Sequence, residues 1–193
     1  MIFVRNPVLG EVKTRLASEI GKVETLKVYK MMLDYTRQIT ISLPMDKGIF
    51  YSDHIENDNW PDSSYQKYLQ VGEGLGERMS NAFRLAFDNG YKSVSIIGSN
   101  CFELTPEIID RSFEKLSNHD VAIGPAADGG YYLLGMNELQ PGIFNGKEWS
   151  TSTVLEVTLS DLKKLGRSYF TLPTLADIDT VKDLSRLGKL ELE

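Results

Sequence analysis

A single cysteine, Cys101, leaves this chain without an internal disulfide or a Cys-rich zinc site, and fits a reducing cytoplasm. Histidine is almost as scarce: His54 and His119 stand in polar segments with no partner at ligand spacing, and both read as surface residues. No apolar run reaches the ~18 residues of a membrane span. The apolar start, residues 1–4, is too short for a signal-peptide core, and Arg5 follows it rather than preceding it. Excess positive charge is also missing, since 21 Lys and Arg face 27 Asp and Glu for a net charge of −6. That balance excludes a broad nucleic-acid face and leaves room only for a local positive site aimed at a small anion. Repeats, low-complexity tracts and linkers are absent too. With 41% hydrophobic and 25% charged residues, the 193-residue chain is expected to form one domain, 1–193, with a substantial core.

Strands and helices alternate along the chain. Ile2-Phe3-Val4 reads as a buried strand that breaks at Pro7 and Gly10, after which Lys13, Thr14 and Arg15 follow in succession. Val23, Leu26, Tyr29, Leu33 and Thr36 recur at helical spacing and predict a long helix ending near Pro44. Further strands are expected at Gly48–Tyr51, Tyr68–Val71, Ser93–Ile97, Val121–Gly124, Tyr131–Leu134 and Tyr169–Leu172. The polar run between Tyr51 and Tyr65 is a surface loop, either a lid or a plain insertion. Met79, Ala82, Phe83, Ala86 and Phe87 mark a helix entered through Gly72, Gly74 and Gly76; Thr105-Pro106-Glu107 opens another, 108–116. Val154, Leu155 and Leu162 mark a third, and Asp179-Thr180 precedes a last helix, 181–187. The strands around Asp128-Gly129-Gly130 follow each other too closely for a parallel crossover, so the sheet is mixed. An α/β sandwich follows.

Unusual residues cluster in four loops at strand ends: Lys13 with Arg15, the glycines with Glu77 and Arg78, Ser99-Asn100, and Asp128-Gly129-Gly130. In open α/β sheets the crevice outside the strand carboxyl ends is where ligands bind, so these loops can share one site. Two cations on a loop leaving a strand suit a phosphate cluster. Each feature also has a plainer reading. Lys13 and Arg15 could be a solvated first helical turn, since the stretch lacks the Gly-Lys-Thr core of a Walker loop. The glycines could be a flexible turn, with Glu77 and Arg78 paired on the helix surface. Asp128-Gly129 could be only a hairpin turn, and Asp179 only a helix start. Trp149 and Ser150 could pack or cap a helix or could line the acceptor side of a site, with the structural role favoured, and Cys101, with no histidine near it in sequence, reads as a packed thiol.

Motifs in order along the chain are similar to those of the bacterial DUF2064 proteins, also called selenodomain-associated transferase 1 or CofC-like glycosyltransferases. FVRNPVLGEVKTRLA resembles the family's FxKxPxxGxVKTRLA opening, QVGEGLGERM its Q-x-G-x-x-LGERM, and IIGSNCFELTPEII its IGSDCPDLTPE. GPAADGGYYLLGM resembles its GPxxDGGYYLIG, WSTSTVL its WST segment, and LADIDTVKDL its DxDTxxDL. The resemblance covers nearly the whole chain. It implies a three-layer α/β/α sandwich with a mixed, mostly parallel sheet, the nucleotide-diphospho-sugar transferase (GT-A-like) fold, and a nucleotide-sugar-dependent glycosyltransferase or a nucleotidyltransferase.

The same resemblance implies roles. Lys13 and Arg15, with Gly10, Arg78 and Ser99, would hold the phosphates of a nucleotide or nucleotide-sugar. A divalent metal, Mg2+ or Mn2+, would sit at the Ser99-Asn100 loop with Asp179. Asp128 would be the catalytic carboxylate, as base or acceptor ligand, with Gly129, Gly130 and Tyr131 on the side of an unidentified small-molecule acceptor. Asp177 and Asp183 rank below these. The chain departs from the family by carrying Asn100 for its Asp and Phe102 for its Pro. A neutral amide oxygen in place of a carboxylate weakens metal binding, so the alternative is a nucleotide-binding homologue with weakened or lost catalysis.

Overall fold

The structure, a computed structural model, describes residues 1–185. Seven strands form one sheet: β1 (Ile2–Val4), β2 (Gly48–Tyr51), β3 (Gln66–Leu69), β4 (Val94–Ile97), β5 (Val121–Pro125), β6 (Tyr131–Met136) and β7 (Tyr169–Thr171). Their spatial order is β3-β2-β1-β4-β6-β5-β7. All pairings are parallel except those of β6, which runs antiparallel to both β4 and β5. This is the mixed, mostly parallel sheet expected from the short β5–β6 connection.

Period-2 alternation in the strands serves two cores. Ile49 and Tyr51 of β2 point into one, with Ile97 and Leu133, while Phe50, Ile96 and Leu134 point into the other. The first face is covered by α2 (Lys22–Ile41) and α4 (Pro106–Leu116) through Ile39 and Ile109. The second is covered by α3 (Leu75–Asp88) and α5 (Val154–Lys164) through Met79, Phe83 and Leu162. Helices on both faces make the three layers. The smaller α1 (Thr14–Ile20) and α6 (Val181–Leu184) flank the opening loop, and residues 186 and 187 of the expected last helix lie outside the described residues. No described helix is long and apolar enough to cross a membrane.

Three local readings are revised. The segment before α2 is a separate helix, α1, divided from it at Gly21, whose φ of 85° interrupts the helical path. Consequently Val23 lies exposed, while Thr25, Met32 and Thr40 join Tyr29 and Thr36 on the buried face. Strand β3 starts and ends two residues earlier than Tyr68–Val71. Gln66 pairs with Gly48, and the Gln70 side-chain amide donates to the carbonyls of Val4 and Phe50 beyond the strand's end. The polar loop after β2 is packed rather than lid-like: Trp60 is buried, the Tyr51 hydroxyl donates to Asp58 at 2.7 Å, and Lys67 pairs with Asp58 and Asp62.

Candidate active site

From the carboxyl end of β1 the chain leaves toward β2, and from that of β4 it leaves toward β5 on the opposite side. The adjacent ends of β1 and β4 therefore form a topological switch point, where a crevice must open. A cleft of ≈ 440 Å³ lies there, bounded by Lys13, Arg15, Asn100, Asp128, Asp177 and Asp179 on its polar side. A second hollow of ≈ 630 Å³ continues from it past Ser99 and Arg78 toward Ser52 and Gln70.

The opening loop is fastened before it reaches the cleft. Asn6 is buried, and its side-chain oxygen accepts from Ser52 and from the amide of Asp53, tying the loop to the end of β2. Gly10, at φ 83°, makes the turn that returns the chain, and Val12 then packs with Tyr29, Met32 and Ile178. Anchoring Val12 fixes the next residue. Lys13 takes left-handed φ and ψ of 46° and 52°, unusual for a residue with a Cβ, and its ammonium pairs with the Asp179 carboxylate. At 13% side-chain exposure it is not the solvated helical turn of the plainer reading, whereas Arg15 is exposed along the cleft rim.

Opposite Lys13 lies an acidic corner. Thr180, not Asp179, caps α6, in a capping box with Asp183, so Asp179 is released from helix capping. The Asn100 side-chain amide donates to Asp177 Oδ2 at 2.9 Å, and the Ile178 amide donates to the Asn100 carbonyl at 3.0 Å, locking the two loops together. Asp177 Oδ1 is buried with no hydrogen-bond partner. Burial, reinforced by the negative charges of Asp128 and Asp179, pushes the Asp177 carboxyl up to about 6, against the opposing pull of Lys13 and Asn100. Asp177, ranked low from the sequence, is thus the most perturbed carboxylate of the site. A signal existed: it stands two residues before Asp179, as alternate residues on an extended segment do.

Asp128 both closes a turn and borders the cleft. One carboxylate oxygen accepts from the Gly130 amide at 2.9 Å, closing the turn, while the residue lines the cleft with Gly130 and Tyr131. Gly129 does not line it; at φ 91°, a Cβ there would lie 2.0 Å from the Ser152 carbonyl oxygen, so this glycine lets the turn pack against the next loop. Gly10 is likewise a turn residue away from the cleft walls. Ser99 and Arg78 line the adjoining hollow, and Arg78 Nε donates to the Gly72 carbonyl at 2.9 Å. Trp149, expected to be structural, packs against Gly76 and also borders both cavities. Its neighbour Ser150 has φ 63°; it and Lys13 are the two non-glycine residues at positive φ among the described residues, and both border this cleft. Cys101 is buried, its thiol pushed up to about 12 chiefly by burial, as a packed thiol should be.

A divalent cation fits this donor set. The unpartnered Asp177 Oδ1, the neutral Asn100 Oδ1 and the Asp179 carboxylate are hard oxygen ligands of the kind Mg2+ and Mn2+ take. Among the described residues no group of three or more Asp, Glu, His or Cys side chains is placed to hold a metal ion by itself.

Comparison with known proteins agrees with this architecture. A family model described as uncharacterized proteins conserved in bacteria, DUF2064, matches residues 36–151, more than half of the chain. No curated protein matches. Among solved structures, a "putative nucleotide-diphospho-sugar transferase" from Desulfovibrio desulfuricans G20 is 31% identical, with 99% of this chain and 87% of that one aligned at a TM-score of 0.89. Rv0371c from Mycobacterium tuberculosis H37Rv, in complex with manganese, is 12% identical over 98% of this chain and 97% of that one, at a TM-score of 0.53. CMP:2-keto-3-deoxy-manno-octonic acid synthetase, complexed with CTP, is 10% identical over 98% and 95%, at 0.52. At such identities the last two establish a shared fold, the nucleotide-diphospho-sugar transferase fold. The chain belongs to the DUF2064 family.

Proposed function

We propose that the cleft binds the diphosphate of a nucleotide and transfers a glycosyl or nucleotidyl group from it to a small acceptor, in one cytoplasmic domain spanning 1–193. The observation that carries this reading is the pairing of Lys13 with Asp179 beside an unpartnered Asp177 oxygen, at the switch point of the sheet. An ammonium set against carboxylates has the charges needed to receive a phosphate together with its cation. On binding, Lys13 exchanges Asp179 for phosphate oxygens, and Arg15 adds a forked contact from the rim. Asp177, Asn100 and Asp179 would hold the cation, which when bound supplies neutralisation of charge on the leaving diphosphate. Lys13 stabilises the same charge from the protein side. Asp128 keeps one oxygen on the Gly130 amide and has the other to accept the proton of an attacking hydroxyl.

Calorimetric titration with UDP, GDP, CTP and their sugar conjugates, with and without Mn2+, tests this reading. Metal-enhanced binding with slow donor hydrolysis supports a transferase. The second reading, a binding protein without efficient turnover, is favoured by the neutral amide of Asn100; metal-independent binding without hydrolysis would select it. Absence of binding by every nucleotide would refute both.

A further inference from the structure

The diphosphate reading leaves one wall of the cleft unused. Of the two tryptophans, Trp60 is buried in the core, but Trp149 is half-buried and borders both cavities. Its indole is held from several directions. Phe144 stacks beside it at 6.4 Å between ring centroids, Tyr131 meets it edge-on, also at 6.4 Å, and Gly76 stands so close that a Cβ would lie 2.3 Å from Nε1. Beneath it, the Lys147 ammonium lies 5.6 Å from the ring. That lysine is only 2% exposed, bonded to Thr158 at 2.8 Å and paired with Asp161 at 3.3 Å. An aromatic ring fixed in this way binds a ligand with little further loss of freedom.

Leu75, Met79 and Val154 line the same cleft as Trp149, and the cations Lys13 and Arg15 enter it from the loop after β1. Polar groups in the lining include the Asp128 carboxylate and the hydroxyls of Ser150 and Thr151, the two residues that follow Trp149. An apolar wall beside a hydrogen-bond acceptor suits an uncharged ring with one C–H face and hydroxyls at its edge. An anionic ring would be repelled by Asp128, Asp177 and Asp179. We propose that Trp149 is the platform of a sugar-ring subsite, with the ring's C–H face on the indole and its hydroxyls donating to Asp128. This deepens the transferase reading and rests on it. Such a ring could come attached to the nucleotide or as a separate sugar phosphate.

The test follows tryptophan emission and calorimetric affinity for UDP, UDP-glucose, GDP, GDP-mannose and glucose 1-phosphate, with Mn2+, in the parent, Trp149→Phe and Trp149→Ala. A sugar-bearing ligand should change emission beyond the effect of its nucleoside diphosphate. Trp149→Phe should abolish that change, because only Trp60 remains, while retaining most of the affinity. Trp149→Ala should weaken sugar-bearing ligands alone, by about 3- to 10-fold. A response to the nucleotide sugars assigns the ring to the donor, and a response to glucose 1-phosphate assigns it to the acceptor. Equal losses for UDP and UDP-glucose would overturn the proposal, as would nucleoside diphosphate binding with no added effect of any sugar; both leave the diphosphate reading standing. If nothing binds, both fall together.

Discussion

Replacing Asn100 by Asp separates the two jobs that this residue can perform. In the ligand-free protein its amide donates to Asp177 at 2.9 Å, a hydrogen bond to a carboxylate that contributes about 1.5–3 kcal/mol. Asn100→Asp removes the donor and sets two carboxylates together, which cannot both ionise and so share a proton. The metal-free variant should be less stable by about 1–3 kcal/mol, equivalent to a melting point lower by about 2–12 °C for a chain of this size. Cation binding should offset part of this loss, because an extra charged ligand favours a divalent ion. A tenfold gain in affinity is worth about 1.4 kcal/mol. With free Mn2+ at about 100 times the parent's Kd, linkage stabilises the parent by about 2.7 kcal/mol and the variant by about 4.1. The variant's deficit should therefore narrow by about 3–6 °C on going from EDTA to Mn2+, as measured by scanning calorimetry, with the affinity gain checked by direct titration. An identical deficit in both buffers, with unchanged Mn2+ affinity, would remove this loop from any metal site.

Arg15→Ala should weaken UDP or GDP binding by about tenfold while shifting the melting point by no more than about 1 °C, since Arg15 is exposed on the rim; a large loss of stability would instead make it a structural residue. Because the Asp177 carboxyl is raised from 3.8 to about 6, chiefly by burial, the folded protein binds that proton more tightly than the unfolded chain. Its contribution to stability is full below about pH 4 and is lost as pH rises to about 6, a total on the order of 3 kcal/mol. Denaturant titrations in EDTA across that range should show the loss in the parent and not in Asp177→Asn, and parallel profiles would contradict the assignment. Cys101, with its thiol pushed up to about 12, should resist maleimide at pH 7.5 in the folded protein and react on unfolding; rapid native labelling would show that this side of the Asn100 loop opens.

Much of the scaffold was legible because its signals are local. Alternation in Ser93–Ile97 and Tyr131–Leu134, the Thr105-Pro106 helix start and the 3.6-residue pattern through Phe83 and Phe87 each act within a few residues. Boundaries failed where distant groups decide them. Strand β3, whose limits are set by pairing with β2, is the clearest case. Lys13, Asp128 and Asn100, expected at the site from their loops, line the cleft, whereas Gly10 and Gly129, expected beside ligands, are turn glycines outside its lining. Positive φ explains both, and a glycine in a loop carries no mark that distinguishes a turn from a ligand contact.

The place of Asp177 and Trp149 in the cleft lining is not legible in the sequence for a different reason. Their character is given by partners far along the chain: Asn100 is 77 residues from Asp177, and Gly76, which packs against Trp149, lies in α3. Helix capping offered a sufficient local explanation for the acidic stretch around Asp179, and the structure transfers that task to Thr180 and Asp183. Freed of it, Asp179 neutralises the partly buried Lys13, and one Asp177 oxygen is left without a donor. Leaving a buried carboxylate oxygen unpartnered costs a folded chain roughly 1–3 kcal/mol or more. The strained backbone of Lys13 lies in the same corner. Two departures from the lowest-energy arrangement, the left-handed backbone of Lys13 and the unpartnered oxygen of Asp177, thus lie in one corner of the cleft between β1 and β4.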